Sequence, residues 1–61
     1  GGAGAQLAAG VRLGEGVSVG AGVRVGAGAQ LARTAVFEET EIPEGERLEQ
    51  VLAWGPHRIP A

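Results

Sequence analysis

The chain has no cysteine, no methionine, no tyrosine and no aspartate, and it has one histidine, one phenylalanine and one tryptophan. Each absence removes a class of protein. Without cysteine there is no disulfide scaffold and no thiolate metal site, and a cytoplasmic origin is expected. One histidine, His57, cannot supply the several imidazoles of a carbonic-anhydrase-type zinc centre. Without aspartate no Ser/His/Asp arrangement can form. The formal net charge of −2 gives no basic field to draw in nucleic acid. No apolar run is long enough to cross a membrane and no signal-peptide pattern is visible, so neither nucleic acid nor membrane is an expected partner.

What is present is glycine, 12 of 61 residues, against about 7% in average proteins. Small and branched aliphatics accompany it at fixed intervals. In sixes from Gly2 the chain reads GAGAQL, AAGVRL, GEGVSV, GAGVRV, GAGAQL. Each block ends on an aliphatic residue: Leu7, Leu13, Val19, Val25 and Leu31. Two places earlier stands another small or branched apolar residue: Ala5, Val11, Val17, Val23 and Ala29. A polar residue separates the two: Gln6, Arg12, Ser18, Arg24 and Gln30. That alternation marks a short strand with one face buried. Gly10, Gly16, Gly22 and Gly28 recur at one phase, where a corner needs positive φ or close backbone approach.

Other periodic structures do not fit. A period of six does not match the 3.6 of an α-helix, and each helical glycine would cost about 1 kcal/mol relative to alanine. Collagen requires glycine at every third position. The Gly-rich stretch GAGVRVG (20–26) lacks the strand–turn–helix setting and the Lys of a phosphate-binding loop.

After Leu31 the phase slips by one residue, making Thr34 and Val36 the next inward pair. Period six resumes with Thr40 and Ile42, then Glu46 and Leu48. A second slip gives Val51 and Ala53. LARTAVF (31–37) thus aligns with LEQVLAW (48–54), 17 residues later. A repeat of 17–18 residues overlies the repeat of six, so three units make one triangular coil. The expected architecture is all-β: a single-stranded parallel β-helix of about three coils over residues 1–54, with an irregular, extended C-terminal tail over 55–61. Its three inner columns are Leu7, Val25, Ile42; Leu13, Leu31, Leu48; and Val19, Val36, Ala53.

The outward residues distinguish the faces. The first carries Gln6, Arg24 and Glu41, with an Arg24–Glu41 cross-strand pair expected. The second carries Arg12, Gln30 and Arg47. The third carries Ser18, Ala35 and Leu52, flanked by Phe37 and Trp54 at a shared corner. Ala35, Phe37, Leu52 and Trp54 form the candidate interface, since apolar patches with aromatic anchors mark partner surfaces; Phe37 and Trp54 stacked on each other or lying under the tail is the alternative. Glu46 falls at an inward place, where an unpaired charge is unfavourable, and is expected to reach solvent from a loose last coil. The upper edge of the first coil is expected to be an unpaired rung, which favours self-association through the third face or end to end.

The units LGEGVS (13–18), VGAGVR (19–24) and VGAGAQ (25–30) resemble the bacterial hexapeptide-transferase repeat. That resemblance implies a left-handed coil, whereas parallel crossovers in general are right-handed. Residues 31–60 further resemble the C-terminal end of sugar-nucleotide pyrophosphorylases of the mannose-1-phosphate guanylyltransferase and glucose-1-phosphate nucleotidyltransferase type. Thr34-Ala35-Val36-Phe37 and Ile42-Pro43-Glu44-Gly45 stand at the places of that family's "x-S-V-V" and "V-P-x-G" segments. The family's Gly-rich nucleotide-binding segment and metal-binding aspartate have no counterpart here. The resemblance therefore implies a non-catalytic domain with no catalytic, metal or cofactor-binding residue of its own, serving oligomerisation or regulation. Its expected partners are further copies of itself and, in the parent nucleotidyltransferase, the catalytic domain. A fragment of a hexapeptide acyltransferase, with His57 as a conceivable base, and a standalone structural repeat protein remain the alternatives.

Overall fold

The computed structural model describes residues 4–61; Gly2 and Ala3 of the opening repeat lie outside them. The described residues form ten strands and no helix: β1 (Gln6–Leu7), β2 (Arg12–Leu13), β3 (Ser18–Val19), β4 (Arg24–Val25), β5 (Gln30–Ala32), β6 (Ala35–Val36), β7 (Glu41–Ile42), β8 (Arg47–Glu49), β9 (Val51–Trp54) and β10 (His57–Pro60). With no helix there is none long and apolar enough to cross a membrane. The chain visits three sheets in rotation. The first sheet is β1-β4-β7, the second β2-β5-β8, and the third β3-β6-β9 with β10 added. All pairings among β1 to β9 are parallel, and the β9–β10 pairing is antiparallel.

The register is the one set by the aliphatic columns. Leu7 pairs with Val25 and Val25 with Ile42. Leu13 pairs with Leu31 and Leu31 with Leu48. Val19 pairs with Val36 and Val36 with Ala53. Stacking like on like puts Val23, Val25, Ala29, Leu31, Val36, Ile42, Leu48 and Ala53 into one core. Fully burying a branched aliphatic side chain contributes roughly 1.5–3 kcal/mol. Thr34 and Thr40 are buried at their inward places too. Each hydroxyl is satisfied: Thr34 Oγ1 donates to Ala32 O at 2.7 Å, and Thr40 Oγ1 accepts from Gly55 N at 2.9 Å.

Corners are ordered by a second ladder. Gly10, Gly16, Gly22 and Gly28 have positive φ, as their spacing predicts. At the two slipped corners Arg33 (φ 47°) and Gln50 (φ 54°) keep the left-handed conformation of Gly16, which stands in the same column. Their amides donate to Glu15 O at 2.8 Å and Ala32 O at 3.1 Å. The left-handed conformation belongs to every corner, slipped or not, since Glu39 (φ 60°) at a full-length corner adopts it too; at these three non-glycine residues it is costly, and the bond to the preceding circuit holds it in place.

The tail differs from the expectation of an irregular segment. Residues 57–60 form a strand, because Gly55 (φ 56°) followed by Pro56 has the sign pattern of a type II′ hairpin turn. Arg58 pairs with Ala53 and therefore points inward. Its Nε donates to Glu46 Oε2 at 2.9 Å, and its Nη1 donates to Gly55 O at 2.8 Å and His57 O at 3.0 Å. The placement of Glu46 is corrected accordingly. It sits below Val11 and Ala29 in their column, only partly exposed, and the guanidinium of Arg58 neutralises it. Together the two side chains close the C-terminal end of the apolar column. The Arg24–Glu41 pair does not form: the residues are neighbours in register, but among the described residues the ion pairs are Arg33–Glu49 and Arg58–Glu46.

Two substitutions test these constraints by thermal unfolding. A Cβ on Gly26 would lie 2.5 Å from Glu44 N and 2.8 Å from Pro43 C. Gly26→Ala is therefore expected to destabilise by about 1–3 kcal/mol, the usual cost of overpacking. Gly4→Ala, which meets nothing within 4 Å, serves as the neutral control. Arg58→Ala strips Glu46 of its partner and is expected to cost about 1–3 kcal/mol. Combining Arg58→Leu with Glu46→Val is expected to recover most of that loss, since an apolar pair can replace a partly buried ionic one.

Candidate interface on the third sheet

Among the described residues the third sheet has four strands and the other two have three each. Strand alternation places Ser18, Ala35 and Leu52 in one row, as their register requires. The hairpin adds Ile59 to that row, opposite Leu52, and sets His57 opposite Trp54. No outward residue of this sheet carries a formal charge at neutral pH with His57 uncharged. The first sheet has Arg24 and Glu41 outward, and the second has Arg12 and Arg47.

The four candidate residues are brought to one side of the molecule. Phe37 follows β6 directly and is 43% exposed; Trp54 ends β9 and is 59% exposed. Ala35 and Leu52, two places earlier in the chain and paired with each other, are partly buried. The Trp54 ring meets the His57 ring at a centroid distance of 5.9 Å and an angle of 49°, so its aromatic neighbour is the tail histidine. Both rings stand outward because strand alternation gives Phe37 and Trp54 the phase of Ala35 and Leu52, opposite to the buried Val36 and Ala53. A shallow hollow of about 320 Å³ lies beside Phe37, between Ser18, Val19, Gly20, Val36 and Glu38.

Sequence reasoning missed Ile59, which is 45% exposed, and His57 as members of this patch. Both were hidden by reading residues 55–61 as irregular. The available signal was the alternation of VLAW and HRIP about Gly55-Pro56, a hairpin pattern with its turn residues in place.

Elsewhere the chemistry is sparse. A groove of about 300 Å³ runs along the second sheet, lined by Arg12, Gln30 and Arg47 with Glu49 at its edge. It has two guanidinium groups but no nucleophile, and Glu49 is engaged by Arg33 at 3.4 Å. Among the described residues no three His, Cys, Asp or Glu side chains gather as a metal site would require. His57 packs on Trp54 on the outer face. Compared with known protein families, curated proteins and solved structures, the chain shows no significant match.

Proposed function

We propose that this chain is a non-catalytic assembly module: a left-handed parallel β-helix that joins copies through the outer face of its third sheet. The observation that carries this reading is the charge-free apolar face of Ala35, Leu52 and Ile59, flanked by the exposed Phe37 and Trp54. A partner surface needs a desolvated centre with aromatic anchors and a polar rim. Glu38, Glu39 and the exposed Arg33–Glu49 pair supply the rim.

The parent we infer is a sugar-nucleotide pyrophosphorylase acting in the cytoplasm. Support comes from the resemblance of residues 31–60 to the C-terminal segments of that family, and from the rotation of the chain through three sheets every 17–18 residues, which suits a triangular coil. In such a parent the module holds subunits together or transmits an effector's influence to the catalytic domain, with no cofactor of its own. A face of four short strands is small beside the ~800 Å² per partner of a standard interface, so association is reversible and depends on concentration.

Leu52→Glu combined with Trp54→Ala is expected to lower the oligomeric mass in sedimentation while leaving the circular dichroism unchanged. An unchanged mass would refute the interface. Neither sugar-nucleotide synthesis nor acetyl transfer is expected from the 61-residue chain itself, and detection of either activity would overturn its non-catalytic assignment.

A further inference from the structure

The outward residues of the third sheet are graded in size along the stack. One column runs Ser18, Ala35, Leu52, Ile59. Continuing the same registers gives the other: Gly20, Phe37, Trp54, His57. Both columns begin small at β3 and become bulky by β9 and β10. The second begins with a gap for a structural reason. A Cβ on Gly20 would lie 2.9 Å from Glu38 N and 3.1 Å from Glu38 Cα, so a side chain does not fit there. The hollow of about 320 Å³ beside Phe37 opens at this place, with Ser18 and Glu38 among its walls.

A graded face constrains how two copies meet. With both stacks pointing the same way, Leu52, Trp54, Ile59 and His57 crowd against the same group in the other copy, while Ser18 and Gly20 stand apart. Reversing one stack sets large against small. We propose, resting on the lateral face described above, that two copies pack their third sheets face to face with the stacks antiparallel. The two-fold axis runs along the strands and passes between β6 and β9. It keeps each column opposite its own copy and reverses the order of the strands. Ser18 then faces Ile59 of the other copy, and Ala35 faces Leu52. Phe37 meets Trp54 at the centre, where aromatic anchors contribute most. His57 of each copy enters the hollow beside Gly20 in the other. Such an interface is isologous and closes at two copies.

Charge supports the same register. Glu38 lines that hollow and forms no ion pair among the described residues, so its carboxylate is placed to accept from the imidazole N–H of the incoming His57. Within its own chain His57 has Trp54 opposite it on β9, and its neighbour Arg58 turns inward to Glu46. The contacts fall between residues 18 and 59 and make no use of either end of the chain.

The chain has no cysteine, which allows a direct test. Variants Ser18→Cys and Ile59→Cys are mixed in equal amounts and treated with a bismaleimide that spans about 10 Å, the usual gap between packed sheets. The expected product is a covalent dimer of one chain of each kind, near twice the 6.1 kDa chain mass, with no link in Ile59→Cys alone. The two sites lie three strands apart on one face, about 14 Å, so a dimer with both stacks pointing the same way does not form the mixed link. Adding Leu52→Glu and Trp54→Ala to both variants is expected to abolish it, which separates it from chance collision. His57→Ala and Glu38→Gln are each expected to raise the dimer dissociation constant about tenfold, and the two together no further, since both remove one contact. A link within Ile59→Cys alone would overturn the antiparallel register and leave the lateral face standing. Monomers throughout, with no link of any kind, would overturn the lateral reading as well. Fully additive effects of His57→Ala and Glu38→Gln would overturn the seating of His57 in the hollow.

Discussion

Every other feature depends on one constraint: each circuit must lie directly on the circuit before it, backbone bonded to backbone and aliphatic on aliphatic. The strands are only two to four residues long, and an isolated pair of such strands has no independent stability. Their strength comes from repetition. Amides such as Gln6, Arg24 and Ser18 find their carbonyl 2.8–3.0 Å away in the next circuit, while the side chain beside each joins the shared column. Gly26, under which the next corner passes, shows how little slack this leaves. A side chain there would push two circuits apart and break the ladder on either side.

Because the column is narrow, what stands in it is limited to Val, Leu, Ile, Ala and the near-isosteric Thr. The polar exceptions are all compensated. Thr34 and Thr40 each have a backbone partner, and Glu46 has Arg58. Aromatic rings are displaced to the outer corner, so the two bulkiest side chains end up on the surface. The architecture that gives the molecule its core thus also gives it an exposed apolar face.

The architecture was legible because period and side-chain size reinforce one another. The aliphatic places from Leu7 to Ala53 fixed all three sheets and every parallel register, and the two slips located the corner where Arg33 and Gln50 turn left-handed. What escaped was whatever the repeat does not encode. Residues 55–61 belong to no block, so the hairpin, the inward Arg58 and the outward Ile59 had to be found by pairing VLAW with HRIP. The fate of Glu46 depended on that same hairpin: a carboxylate at an inward place reads as a defect until its partner, twelve residues later, is known. The Arg24–Glu41 pair failed for a simpler reason. Register brings exposed residues side by side, but holding two long charged side chains together at the surface gains little.

The hairpin also sets the last circuits apart. Pairing β9 with β10 closes a loop of two residues, whereas every other pairing closes over 17 or 18. Closing a longer loop costs more chain entropy, so the hairpin is the least costly pairing to make. It also ties Gly55 to Thr40 and Arg58 to Glu46, linking itself to the last circuits. The hairpin thereby gives the last circuits a short-range anchor that the circuits before them lack, in an array where each circuit contacts only its neighbours.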